Sequence, residues 1–545
     1  MLQGVAVKRL IFTFGAGLAL SSPLPMMGQS HDAHDHAVGG GRRAEQLGKV
    51  SFPTSCDPKV QAQFERGVAL LHSFWFGEGL KAFTAVAEQD PGCAMAYWGI
   101  AINRLLNPFG GEAGPAFIKQ GREAIEKAQA IGAKPQRERD YIDAAALLYT
   151  DVGTKRWPER AVAYEQAMGR LVEKYPDDVE AKVFYALALN FAADLNDQTY
   201  AKPLKAAQLL EPLLTAYPDH PGVAHFLIHS YDFPPLAEKG LEAARRYASI
   251  APSAAHALHM PSHIFTRVGA WEDSAATNLR SEQIARADSS GDEIVHAIDY
   301  QVYAYLQLAR DADAKKAIDR AMQDSARFGF IRVSGPFGIT AVPARYALER
   351  GDWKAAAQLQ VKPTKVLFAD ATTHFARALG AARAGDPAAA KADLARLAEL
   401  RDQLAAAKNA YWADQAGIQW LGASAWTALA EGRRDEALKL MRTAADRESA
   451  SEKSGISPGP ILPARELLGD MLLELGEPAL ALKEYEASQQ REPNRFRGWY
   501  GAATAAAKSG DRAKAAAYYG RLAALAQKGD NRPELQQARQ YLAAR

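Results

Sequence analysis

The stretch PGVAHFLIHSYDFPPLAEKGLEAARRYASIAPSA (221–254), continued by AHALHMPSHIFTRVGAW (255–271), decides how this chain is read. His225 and His229 recur as His259 and His263, 34 residues further on, and His256 lies beside the second pair. Residues four apart on a helix share a face. A 34-residue interval matches a unit of two helices and their connections. Two successive helical hairpins therefore carry imidazoles at corresponding places.

The same punctuation extends outward from this segment. Pro91, Pro176, Pro218, Pro252 and Pro493 each follow an apolar-periodic run, and Gly77, Gly269, Gly351, Gly385, Gly432, Gly476 and Gly510 fall where paired helices should turn. The clearest units are 60–93, 221–254 and 484–521. Longer ones are expected near 94–136, 137–178, 179–220, 255–292 and 293–330. Phe83, Tyr164 and Tyr485 fall where a bulky residue of a second helix packs under its neighbour. Between 330 and 410 the periodicity is broken. A two-helix unit cannot bury its apolar face alone, so stacking must make the core. The expected fold is all-α, a superhelical solenoid.

At 545 residues the chain exceeds one compact core, which agrees with an array. Residues 51–330 are read as an N-terminal array holding the histidines, and 331–545 as a C-terminal one. The formal charge of +2 offers no electrostatic footprint for nucleic acid, which is set aside. Residues 1–28 read as a secretory signal: Lys8 and Arg9, an apolar run from Leu10 to Leu20, then a small-residue end. That run is too short to span a bilayer, and no integral membrane segment is expected after its removal. The working compartment is then periplasmic or extracellular. Residues 29–50, polar and Gly-rich, are expected to be a disordered lead-in.

Four segments resemble tetratricopeptide repeat (TPR) proteins, and more narrowly a family of secreted bacterial TPR proteins of undefined biochemical role. They are SCDPKVQAQFERGVALLHSFWF (55–76), DPGCAMAYWGIA (90–101), HALHMPSHIFTRVGAW (256–271) and PILPARELLGDMLLELG (460–476). The likeness covers most of 52–525. It implies that the second, fifth, ninth and twelfth places of a unit face a concave ligand groove. Counting from Pro221 and Ala255 assigns His225, His229, Asp232, His256, His259 and His263 to that groove, with Trp98 at an equivalent place. Trp75, Tyr97 and His72 nearby read as interhelix packing.

Composition also marks these histidines. Twelve in 545 residues give about one per 39-residue window, whereas 225–263 holds five. His225, His229, His259 and His263 are the candidate ligands of a zinc or copper ion, since imidazole suits both metals. Pro261 complicates the alignment: the helix must kink there or start there. The alternative is a partly buried groove face with no metal. In the leader, His31, His34 and His36 form a second short His tract. Cleavage after Gly28 would leave Gln29-Ser30-His31, a square-planar nitrogen set for Cu(II).

Cys56 and Cys93 are the only cysteines, and each opens a first helix of a unit. In an oxidising compartment a disulfide between them is expected, the alternative being two unrelated thiols. Gly455-Ile-Ser457-Pro-Gly459 matches a hydrolase string, but that chemistry needs a strand–turn–helix elbow, which an all-helical chain lacks. Pro343-Ala-Arg345 and Pro463-Ala-Arg465 read as two helix starts with surface arginines. The chain is therefore read as a scaffold that binds a protein or peptide in its groove, rather than an enzyme. The alternative is a metal-dependent, hydrolase-like enzyme, with Asp232 as base toward metal-bound water.

Overall fold

Helices stop where the prolines and glycines require. In the computed structural model, which describes residues 45–544, helices end at Gln89, Lys174, Ala216, Ile250 and Arg491, each two residues ahead of a proline. Gly269, Gly351, Gly385, Gly432, Gly476 and Gly510 all adopt positive φ, between +65° and +85°, the left-handed region open to glycine. Gly77 differs. It lies inside the helix Phe76–Gln89 and makes no turn. The signal segment 1–28 and His31, His34 and His36 lie outside the described residues.

The result is an all-helical solenoid of stacked hairpins, with no strand among the described residues. Among its units, three match the expected repeats: Gln61–His72 with Phe76–Gln89, Val179–Phe191 with Ala201–Ala216, and Pro221–Tyr231 with Leu241–Ile250. The expected unit 484–521 does not, since 484 falls inside the helix Pro478–Arg491 and the hairpin there is Phe496–Lys508 with Arg512–Leu525. Stacking depends on small-to-large complementarity. Phe83 is wedged between Gly67 and Gly99, and a Cβ on Gly99 would come within 2.3 Å of its ring. Tyr485 sits in the same way between Gly469 and Gly501, 402 residues further along. The Cys56–Cys93 disulfide forms, with Cα atoms 4.9 Å apart, and ties the start of the first unit to the start of the next.

Glu45–Arg545 is one compact unit. Its largest apolar clusters run from Phe52 to Phe265 and from Phe337 to Ala515. Residues 45–50, expected to be disordered, are held instead. Leu47 is buried, Gln46 N–H donates to Ser253 Oγ, and Lys49 N–H donates to Asp219 O. The irregular region is explained by a helix of five residues, Trp353–Ala357, followed by irregular backbone up to Leu367. Pro343 lies within the helix Ser334–Glu349 and starts none, whereas Pro463 does precede the helix Ala464–Glu474.

Two features position the site. The helix Gly291–Gln307 is buried along all its residues, with neighbours on every side. The C-terminal units also fold back on the middle ones. Trp271 Nε1 donates to Asn494 O at 2.7 Å, Phe496 N–H donates to Gln307 Oε1 at 3.0 Å, and the loop after Arg434–Ser449 packs across the histidine-bearing hairpins.

Candidate metal centre

His225 and His229 stand one turn apart on the helix Pro221–Tyr231. The next first helix is divided into Ala255–His259 and Pro261–Arg267, with Pro261 at the first position of the second part. The missing proline N–H and a tightened bond from His263 N–H to Met260 O mark the break, yet Met260 keeps helical angles. His256, His259 and His263 therefore still face the same interior. A sixth imidazole, His296, enters from the fully buried helix Gly291–Gln307.

The rings form a continuous cluster. Centroids lie 4.9 Å apart for His225–His229, 5.1 Å for His225–His256, 5.0 Å for His259–His263 and 4.4 Å for His259–His296. Two triads result, His225/His229/His256 and His259/His263/His296. Within each, the ligand nitrogens all lie within 4.8 Å of one another. The four histidines expected around one ion are thus shared between two groups, and each group gains a third ring.

Three rings are oriented by the nitrogen that faces away from the cluster. His225 Nδ1 donates to His72 O at 2.6 Å, His259 Nδ1 to Asn278 Oδ1 at 2.7 Å, and His263 Nδ1 to Asp232 Oδ2 at 2.8 Å. Asn278 is itself fixed, since its Nδ2 donates to Ser274 O. Each of these rings then presents Nε2 as a lone pair. His259 Nε2 and His263 Nε2 stand 3.0 Å apart, and His225 Nε2 and His229 Nε2 3.2 Å apart. With metal–nitrogen bonds of about 2.0–2.1 Å, two ligands of one ion are separated by about 2.9–3.4 Å. Both pairs fall in that range. Aromatic rings frame the hollow: His229 stacks on Phe109 at 4.0 Å and His256 on Phe74 at 5.1 Å.

Burial keeps five of the rings neutral. It pushes His225, His229 and His259 well below the usual histidine range, with neighbouring imidazoles adding to the effect. Burial also takes His296 down to about 3. It takes His263 down to about 4, although the Asp232 carboxylate pulls the other way. Asp232 is held ionised against its own burial by Lys453 first, then Arg267 and His263. Its oxygens accept from Arg267 Nε at 3.0 Å, Lys453 Nζ at 2.7 Å and His263. It orients a ring, and so does not stand free as a base.

The expected groove is filled by the chain itself. Lys453 and Glu452 of the 450–463 loop bind Asp232 and Arg267, and Tyr300 Oη donates to Ser457 O at 3.2 Å. Ser457 is buried, with its Oγ turned back on Gly459 O, so the hydrolase-like string is part of this cover. Arg345, expected on the surface, is fully buried and binds Asp299, Ser457 and the Gly459 and Pro460 carbonyls. Trp98 is also absent from any groove. It is 1% exposed, among Phe52, Tyr141 and Phe184.

Sequence reasoning missed His296, Glu293 and Asn278. The repeat interval gave a signal for two of them: Glu293 lies 34 residues after His259, as His259 does after His225, and His296 lies 33 after His263. It also missed His220 and Glu180: His72, read as interhelix packing, is buried, and its Nε2 and that of His220 both lie 2.8 Å from the Glu180 carboxylate. His72 carries the carbonyl that orients His225, which links this buried network to the cluster.

No family model and no curated protein sequence matches the chain. Solved structures that resemble it include a human IFIT1 dimer with m7Gppp-AAAA, at 13% identity and a TM-score of 0.38, over 79% of this chain and 90% of that one. A monomeric IFIT1 mutant with Gppp-AAAA has 13% identity and a TM-score of 0.36, over 79% and 90%. A human IFIT1 dimer with PPP-AAAA has 12% and 0.38, over 78% and 89%.

Proposed function

We propose that this chain is an exported helical-repeat scaffold that binds a transition metal, zinc or copper, through its clustered histidines, and presents its repeat surface to a protein or peptide partner. One observation carries the metal reading. His259 and His263 both have Nδ1 committed to oxygen acceptors, which leaves two Nε2 lone pairs facing each other at 3.0 Å in a buried site. Two lone pairs at that distance repel unless a cation lies between them, and burial opposes a proton in that role. A metal ion removes the conflict. The ring–acceptor bonds are of the kind that fix the orientation of metal-bound histidines.

The Cys56–Cys93 disulfide supports export to an oxidising compartment. The hydrolase-like alternative gains no support from Asp232, whose oxygens are taken by Lys453, Arg267 and His263. Elemental analysis of the purified full chain after exposure to zinc or copper and gel filtration tests the reading. Retained metal in the wild type, lost in a His225→Ala/His259→Ala variant of unchanged helicity, is the expected result. Metal-free wild type, or equal metal in both proteins, overturns it.

A further inference from the structure

The two triads differ from a single metal site in three ways. Each supplies three imidazoles from two neighbouring repeats, and no carboxylate belongs to either set, although Glu293 Oε2 stands 3.7 Å from His256 Nδ1. They adjoin each other, with centroids 5.9 Å apart for His229–His263 and again for His256–His259. Finally, one member of each triad lines a common cavity of about 350 Å³, bounded by His256, His296, Glu293, Arg332, Leu106 and Ile456. His256 is 5% exposed and neither ring nitrogen has a hydrogen-bond partner. Nδ1 of His296, 8% exposed, is likewise unpartnered. Such orphaned buried donors and acceptors call for a ligand.

Resting on the metal reading above, we infer that the two triads hold a pair of copper ions whose open side faces this cavity and binds dioxygen between them. The ligand chemistry selects the metal. Two buried dications in shells of neutral nitrogen would bring four positive charges into the interior with no anionic ligand. The nearest carboxylates are already balanced in charge, Asp232 by Lys453 and Arg267, and Glu293 by Arg332 through Oε1, its Oε2 lying 3.7 Å from His256 Nδ1. Two Cu(I) ions bring half that charge, and Cu(I) is satisfied by three nitrogens, whereas zinc takes a fourth ligand. Triads of three also leave each ion an open position, and the cavity is where a small molecule would reach both.

The reaction balances without a proton. Each Cu(I) gives one electron to a single dioxygen molecule, two copper–oxygen bonds form, and the oxygen–oxygen bond order falls from two to one. The dianion formed between the ions offsets the two charges that oxidation creates. Tyr300 Oη lies 3.4 Å from His263 Nε2.

The test loads the full-length protein with Cu(I) under anaerobic conditions, counts copper per chain, then admits air and records the electron paramagnetic resonance signal. Two coppers per chain and a signal reduced at least tenfold below that of two independent Cu(II) ions are expected, because paired spins cancel. His256→Ala or His296→Ala should each drop the count to one and restore a full one-spin signal. No bound copper overturns the copper pair, and if the chain then retains no zinc either, the metal reading itself falls. One copper per chain in the wild type overturns only the pair. Two coppers with full two-spin intensity after oxygenation overturn the shared ligand. The wild-type arm decides all three even if a variant fails to fold.

Discussion

Asp232 holds His263, Arg267 and Lys453 at once, and its replacement separates orientation from charge. Asp232→Asn keeps the shape but leaves buried Lys453 without its ion-pair partner, while Arg267 keeps Glu452, a loss on the order of 3 kcal/mol. It also frees the His263 ring, so metal affinity should fall about 10- to 100-fold. Urea unfolding and metal competition read the two effects separately, and unchanged metal affinity would remove the orienting role. The neutral rings make a second prediction for the metal-free protein. In the folded chain His263 protonates near 4 and His296 near 3, against 6.5 for an ordinary histidine. The unfolded chain therefore binds more protons below pH 6.5. This part of the stability is whole above that pH and is lost as the pH falls toward 4. Each such ring contributes a slope of up to about 1.4 kcal/mol per pH unit. Denaturant midpoints at pH 7.5 and 5 should differ in that direction, and equal midpoints would contradict it.

At the scale of the element, glycine does opposite things at different places along the helices. A Cβ on Gly99 would fall 2.3 Å from Phe83, and one on Gly501 2.2 Å from Tyr485, both against buried rings. Gly520, within the helix Arg512–Leu525, has nothing within 4 Å of the same position. Alanine at any of the three gains about 1 kcal/mol of helix propensity. Overpacking costs about 1–3 kcal/mol where the ring cannot yield. Gly99→Ala and Gly501→Ala should thus destabilise, while Gly520→Ala should stabilise by up to about 1 kcal/mol, measured by thermal unfolding. Stabilisation at all three would show that the small-to-large wedges do not fix the stacking. Turn and wedge positions of this kind were legible in the sequence because they obey local backbone rules. Gly77 was misjudged because a glycine in the first turn of a helix has the same neighbours in sequence as one in a turn.

At the scale of the whole molecule, contacts between distant segments decide what the sequence hid. The repeat period gave the hairpins and the partners His225, His229, His256, His259 and His263, since each lies at a fixed place in its unit. It did not show that the loop carrying Lys453 and Ser457 closes over them, more than 180 residues later in sequence. No local pattern encodes that contact, so a groove was expected where the interior is packed. The same lack of local signal hid Asn278 and the His72 carbonyl. The array also limits how far a local change spreads, because each unit is stabilised mainly by its neighbours. Cys56→Ala with Cys93→Ala removes a cross-link spanning 37 residues, a loss of about 2–4 kcal/mol. Hydrogen exchange should quicken in the units around residues 56–104 and stay unchanged in the Phe337–Ala515 cluster. Uniform acceleration would mean that the array unfolds as one body.

X-ray absorption at the metal edge of the loaded full-length protein tests the central claim most directly. The expected spectrum has nitrogen neighbours at about 2.0 Å, three per ion, with the outer-shell scattering of imidazole rings. A shell dominated by oxygen, without imidazole scattering, would mean that the clustered histidines do not hold the ion.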